Sequence, residues 1–357
     1  MTPEVKRSVG TSVGALRRAL GTVLVVACGA VLMHACGGGS GAVDDSGGGN
    51  GGGGGGSTSL SGLLWHNDFG LDSVHGLQVS DLAGSATQLV NATETAVPTP
   101  DGLHYITYVY DTDTVVSTVT IRTRGSAQVV DSATFNGYIR RVRPSPTRLG
   151  DMLLTWASSA GGVGSDRPDL TFVDLPGRRI LTTLDGTNTA ADWLPDGRYV
   201  YIDSAGSVSI GTPGAASAAA GHLTVSGRLP AAAWVDPTGA RMITRWVQRD
   251  AGGGIIGTDL WISAVDGSAA ERLTSTGLTT YGIWSPDGAY FGFDHDTDSV
   301  CSSTGCSGVP VGGCDLYVAP IGGRSLTLSS SGVQSFTVAD QGGRREVLGC
   351  DLVAWTR

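Results

Sequence analysis

The chain has 357 residues, with 23 Lys and Arg against 32 Asp and Glu, a formal charge of −9, and 56 glycines. That acidic balance argues against nucleic-acid binding, which relies on basic patches, and solubility is its plain physical use. The sole lysine is Lys6, near the N-terminus, so the rest of the chain has no Schiff-base or P-loop lysine.

The first segment carries Lys6, Arg7, Arg17 and Arg18 against one acid, Glu4. Ala19 to Ala35 then runs apolar apart from Thr22 and His34. A positive start, a short apolar run and small residues before a break predict a secretory signal over residues 1–35. An uncleaved anchor is the alternative, although the run is shorter than the roughly 20 residues of a membrane span. The run ends Leu32-Met33-His34-Ala35-Cys36-Gly37. This resembles the bacterial lipobox, which implies that Cys36 is acylated and becomes the mature N-terminus. His34 is unusual in such a box, and Val25-Val26-Ala27-Cys28-Gly29 offers Cys28 as the alternative site. Gly37 follows the cysteine rather than the aspartate linked to inner-membrane retention, so the resemblance implies the outer membrane.

Residues 36–57 are the lipidated cysteine and a tether of Gly with Ser, Asn, Asp44 and Asp45. Glycine and serine at this density cannot bury apolar surface and predict flexible coil that holds a domain off a bilayer. Beyond residue 35 the charged residues are 19 Arg against 31 Asp and Glu, a balance of −12.

Residues 58–357 are long enough for a large core and contain a repeat. Pro100-Asp101-Gly102, Leu149-Gly150-Asp151, Pro195-Asp196-Gly197, Asp236-Pro237-Thr238-Gly239 and Pro286-Asp287-Gly288 each precede an apolar run, and Asp340-Gln341-Gly342 is a degenerate sixth. Proline presets the first turn position, Asp bonds its own backbone and Gly takes positive φ. The β-branched and aromatic residues that follow predict strands. A second unit, strand–glycine turn–strand, lies between these turns. It is clearest at Asp259-Leu260-Trp261 to Arg272-Leu273-Thr274, at Asp315-Leu316-Tyr317 to Leu328, and at Asp169-Leu170-Thr171 to Thr182. A copy over Leu77–Val90 precedes the first turn, and the last turn has none after it. Joining the two orphan halves in one blade closes a ring without free sheet edges.

Six units of this length predict an all-β fold, a six-bladed β-propeller closed by N- and C-terminal strands, with a seven-bladed ring as the alternative. The Trp-Ser-Pro-Asp-Gly and Asp-Leu-Trp/Tyr strings resemble the WD40-like repeats of TolB-type propellers. That resemblance implies partners in the periplasm or envelope. TolB's own N-terminal domain has no counterpart here, so equivalence to the Tol–Pal component is not expected.

Candidate chemistry is sparse. Cys301, Cys306, Cys314 and Cys350 lack Cys-x-x-Cys spacing, and in an exported chain they predict disulfides, with three pairings open and a local Cys301–Cys306 pair as one guess. Asp294, Asp296 and Asp298 alternate and are a candidate Ca²⁺ set, but Ser299 and Gly305 stand where a calcium loop needs Gly and Glu. A solvated loop is the expected reading, as for Asp111 and Asp113. Trp193, Trp234 and Trp284 recur at one repeat position, which predicts packing between blades rather than a stacking platform for sugars. No cofactor is expected. The expected function is a monomeric, non-enzymatic module that binds an envelope protein or peptide and is held at the membrane by its lipid. The rival is a hydrolase or lyase acting on envelope polymers or glycans. It requires two or more of His66, His104, His222 and His295 to meet Asp in one pocket.

Overall fold

In the computed structural model of the protein, the described residues are 60–66, 76–82, 88–91, 95–157, 169–296, 301–302, 305–306, 314–339, 345–348 and 352–357. They belong to a compact unit, Ser57–Arg357. Cys28, Cys36, His75, Asp298 and Cys350 lie outside them. No helix among them is long and apolar enough to cross a membrane.

The chain opens with β1 (Leu63–His66), β2 (Leu77–Asp81) and β3 (Gln88–Asn91). Blade 1 is β4 (Ala96–Pro98), β5 (His104–Asp111), β6 (Val116–Thr123) and β7 (Val129–Asn136). Blade 2 is β8 (Tyr138–Pro144), β9 (Asp151–Ala157), β10 (Leu170–Asp174) and β11 (Arg179–Leu184). Blade 3 is β12 (Ala190–Trp193), β13 (Tyr199–Ile202), β14 (Ser207–Gly211) and β15 (Ala218–His222). Blade 4 is β16 (Leu229–Val235), β17 (Arg241–Arg249), β18 (Ile255–Ala264) and β19 (Glu271–Arg272). Blade 5 is built from β20 (Gly282–Trp284), β21 (Tyr290–Asp296), β24 (Cys314–Pro320) and β25 (Gln334–Ser335), and a hairpin of β22 (Cys301–Ser302) and β23 (Gly305–Cys306) interrupts it. A second hairpin, β26 (Thr337–Ala339) with β27 (Arg345–Val347), leads to β28 (Leu352–Thr356).

The sixth sheet runs β28-β1-β2-β3. The ring is therefore a six-bladed propeller closed by the two ends of the chain, and the seven-bladed alternative falls. The division of the closing blade differs from the simplest reading of the repeat. The C-terminal segment supplies one strand, β28, and the N-terminal segment supplies three, with Leu64 opposite Trp355 and Trp65 opposite Ala354. Residues 340–342 lie outside the described residues, and the strands that flank them pair with each other rather than with a blade.

Apolar side chains gather at the seams between blades. Six buried clusters each join two neighbours around the ring, such as Phe172 with Trp193 and Tyr199 between blades 2 and 3, and Trp234 with Trp284 and Phe293 between blades 4 and 5. Trp193, Trp234 and Trp284 are all buried, as packing between blades requires. The indole N–H of Trp193 donates to the Arg143 carbonyl at 3.0 Å and that of Trp284 to the Trp234 carbonyl at 2.8 Å, so both tie one blade to the blade before. Small residues such as Ala190, Ala233 and Gly282 occupy the inner strands, where blades converge. A Cβ on Gly282 would meet Leu260 at 3.1 Å and Ile243 at 3.2 Å.

The turn glycines 102, 150, 197, 239 and 288 all have positive φ, as the repeat predicts. Most of these turns lean on the preceding blade, while Gly150 packs on Pro176 of its own blade. A Cβ on Gly197 would strike Thr147 at 2.5 Å, and one on Gly239 would strike Pro195 at 3.0 Å. Arg241 donates to the Gly288 carbonyl at 3.2 Å.

His66 on β1 is fully buried, with Nε2 paired to the Ser80 hydroxyl at 2.9 Å. Burial lowers its pKa from the ordinary 6.5 to about 4. The native state therefore holds this ring neutral while the unfolded chain takes up a proton. The stabilising difference is complete above pH 6.5 and is lost as pH falls toward 4. Stability should drop by about 3 kcal/mol over that window. Urea titrations at pH 7.5 and 4.5 check this, with His66→Gln expected to flatten the part of the slope that belongs to this ring.

Candidate functional site: the axial channel

The inner strands β4, β8, β12, β16, β20 and β28 enclose a channel of about 770 Å³. At the end where the repeat turns lie, its wall includes Pro100, Pro146, Pro195 and Pro237. Proline suits these turns because its fixed φ presets the first turn position.

Midway along the channel, Arg143 of blade 2 reaches across two seams. Its Nη1 donates to the Ala191 carbonyl at 3.1 Å, to Asp192 Oδ1 at 3.0 Å and to the Ala233 carbonyl at 2.6 Å. Asp192 Oδ2 accepts the Val235 N–H at 2.8 Å. One ion pair therefore links blades 2, 3 and 4 beside the axis. Burial raises the Asp192 pKa, against the pull of Arg143 and the N–H bonds. The Arg143 guanidinium also lies 5.5 Å from the centre of the Trp234 ring, a cation–π contact.

At the opposite end, the Asp294 carboxylate accepts the N–H groups of Thr280 at 2.7 Å and Tyr281 at 2.6 Å, together with the Thr280 hydroxyl. Burial raises its pKa. Asp294 thus fastens the segment leading into β20 and has turned into the channel wall. The Asp296 side chain and Asp298 lie outside the described residues. No group of three His, Cys, Asp or Glu able to hold a metal occurs among the described residues.

Arg245 is the guanidinium beside Asp294 at this end, and Arg141 lies close to Arg245. Arg245 donates to the Thr280 carbonyl at 2.9 Å, and its buried Nε has no partner. Burial, then the neighbouring Arg141, bring the Arg245 pKa down to about 10, so it stays charged at neutral pH. Arg141 lies 5.5 Å from the centre of the Tyr281 ring, whose hydroxyl donates to the Val353 carbonyl at 3.2 Å. Arg140 lines the channel as well. Both Arg140 and Arg141 are exposed. The pairing of β8 with β9 jumps from Ile139 to Arg141, so Arg140 is the extra residue of a β-bulge. A bulge re-aims side chains locally and here lets two consecutive arginines line one channel. Sequence reading missed this cluster. The available signal was Tyr-Ile-Arg-Arg-Val-Arg-Pro, a strand rich in arginine at an inner position where other blades carry alanine.

The histidines do not converge. His66 is in the closing blade, His104 in blade 1 beside Asp101, His222 on the outer strand of blade 3 and His295 in blade 5. None of these four lines the channel. Asp111 accepts the N–H groups of Asp113 and Thr114 in an exposed turn, as a solvated loop requires. Cys301 and Cys306 face each other across the β22–β23 hairpin. The side chains of the four candidate disulfide cysteines are outside the described residues.

No family model matches the chain, and no curated protein matches it. Solved structures similar to it include the putative TolB from Agrobacterium tumefaciens, 14% identical over 83% of this chain and 91% of that chain, with a TM-score of 0.44. The β-propeller domain of the Trilobed protease from Pyrococcus furiosus is 11% identical over 76% and 82%, with a TM-score of 0.43. An oligogalacturonate lyase in complex with manganese is 11% identical over 76% and 75%, with a TM-score of 0.46. These are likenesses of fold, and the blade count rests on the strand topology above.

Proposed function

We propose that the chain is an exported lipoprotein, acylated at Cys36 and tethered by residues 37–57 to the outer membrane. On this reading its propeller binds an envelope protein or peptide in the axial channel without chemical turnover. The observation that supports binding is the state of the three channel carboxylates. Asp192 and Asp294 already accept bonds from Arg143, from backbone N–H groups and from a hydroxyl, and Asp236 accepts Arg241 and backbone N–H groups. A general acid or base needs a carboxylate or imidazole free to reach a substrate proton, and these three instead hold the wall.

The test uses the full chain, recovered with its membrane, as bait in an envelope extract. A protein captured in stoichiometric amount by the wild type, and lost to Thr95→Trp at the channel wall, is the expected result. Cys36→Ser should move the chain out of the detergent phase in the same fractionation. Failure to capture any protein, together with shortened glycans in the extract, would replace binding with the hydrolase or lyase reading.

A further inference from the structure

We infer that the end of the channel bordered by Arg140, Arg141 and Arg245 is a carboxylate-binding subsite, and that a peptide partner enters it with a carboxylate group foremost. The inference rests on the binding reading above and names the chemistry that reading leaves open.

Charge carries the first part of the argument. The chain as a whole is acidic at −9, yet the channel wall carries Arg140, Arg141, Arg143 and Arg245 against Asp192, Asp236 and Asp294. Two of those aspartates are already matched. Asp192 pairs with Arg143 at 3.0 Å, and Asp236 pairs with Arg241 at 3.1 Å. What remains on the wall is Arg140, Arg141 and Arg245 against Asp294, an excess of positive charge. A low-dielectric cleft of one sign focuses its field and draws the opposite charge inward.

Unused donors carry the second part. A guanidinium has five N–H donors in a fixed fork. Arg245 has one hydrogen bond to protein, and its Nε is buried without a partner. An unmet buried donor is destabilising, a penalty that a bound oxyanion would remove. Arg141 makes a ring contact with Tyr281, which leaves its fork free to turn toward the axis. Arg140 is held at the channel by the bulge and has no ion pair or hydrogen bond among the described residues.

Donor type and charge favour carboxylate over phosphate. Phosphate sites commonly recruit backbone N–H groups. Here the N–H groups of Thr280, Tyr281 and Val235 are already consumed by Asp294 and Asp192. The donors left are arginine forks, which match carboxylate and phosphate alike. The Asp294 carboxylate beside Arg245 repels the higher charge of a phosphate more than the single charge of a carboxylate. The aromatic rings of Tyr281 and Trp234 then flank the remainder of an entering peptide.

Ligand-observed NMR on the full chain tests this with N-acetylglycine, N-acetylglycinamide and inorganic phosphate as probes. The expected result is binding of N-acetylglycine at least tenfold tighter than of its neutral amide or of phosphate. That preference should fall at least tenfold in Arg140→Gln/Arg141→Gln and survive in Arg324→Gln, an arginine away from the channel. Arg140 and Arg141 are exposed, so an unchanged unfolding midpoint is expected for the double variant. Equal binding of acid and amide, a preference for phosphate, or binding untouched by the double variant would each overturn the subsite. Capture of a protein partner that ignores the double variant would leave the binding reading standing and remove this one. Carboxylate binding without a captured partner would do the reverse.

Discussion

Removing residues 352–357 abolishes cooperative folding. This strand is the inner strand of the closing blade, and its loss leaves β1 with an open edge facing the channel. It also removes Trp355, which packs edge-on against Phe336 at 5.3 Å and donates to the Ser61 carbonyl at 2.9 Å. The indole of Trp65 loses its acceptor, the Thr356 hydroxyl at 2.9 Å. Deleting a buried tryptophan alone costs about 3–5 kcal/mol, and a domain holds about 5–15 kcal/mol in all. The truncated chain should therefore melt without a sharp transition in near-ultraviolet circular dichroism and be cut rapidly by trypsin. Trp355→Ala, which keeps the backbone ladder, should still melt cooperatively, lower by roughly 8 °C. A truncated chain that melts within a few degrees of the full one would mean that the ring does not depend on its closure.

Asp259→Ala is the most damaging single substitution expected outside the closing blade. The carboxylate is fully buried. Oδ2 accepts Arg272 at 2.6 Å and lies 3.5 Å from Arg228, while Oδ1 accepts the Gly277 N–H at 3.0 Å and the Thr274 hydroxyl at 3.3 Å. Both arginines also lie against the Trp261 ring, at 5.1 and 5.6 Å from its centre. Removing the acid strands two guanidinium groups around a buried indole. Breaking such a buried pair costs about 3–5 kcal/mol; Arg272 is partly open to solvent, which favours the lower figure. A loss of about 3 kcal/mol, or roughly 8 °C in Tm, is expected. Asp259→Asn should recover part of it, because the amide oxygen can still accept one arginine. A change below about 1 kcal/mol in urea unfolding would show that the network relaxes around the gap.

The fold was largely legible because its repeat is written in turn chemistry. Proline, aspartate and glycine recur where a backbone must reverse with positive φ, and that requirement is local. The closure was legible in outline, since two orphan half-units imply a shared blade. Its division into one strand and three was not. A three-residue string such as 340–342 can satisfy turn chemistry anywhere on a surface, whereas the pairing of Leu64 with Trp355 depends on contacts nearly the whole chain apart. The Asp-Leu-aromatic motif was legible as strand but not as chemistry. Asp259 is buried under two arginines, while the equivalent Asp315 and Asp169 are exposed. The difference lies in Arg272 on β19 and Arg228 from a neighbouring loop, whose meeting at one carboxylate strand spacing does not encode. The channel arginines were opaque for a similar reason. Consecutive charges in a strand read as a solvated edge, and only the bulge at Arg140 and the arrival of Arg245 from blade 4 gather them.

The way each repeat turn rests on the blade before it gives construction of the ring a direction. A chain emerging from its N-terminus meets, at most new turns, a neighbour already in place, with Thr147 waiting for Gly197 and Pro195 waiting for Gly239. The order of synthesis is thus the order in which supports become available, and blades 1 to 5 can be laid down in sequence without delay. The strands β1 to β3 are made first and completed last. Their inner edge stays open until β28 arrives, which makes that interval, rather than any finished surface, the time when one copy can most readily pair with another.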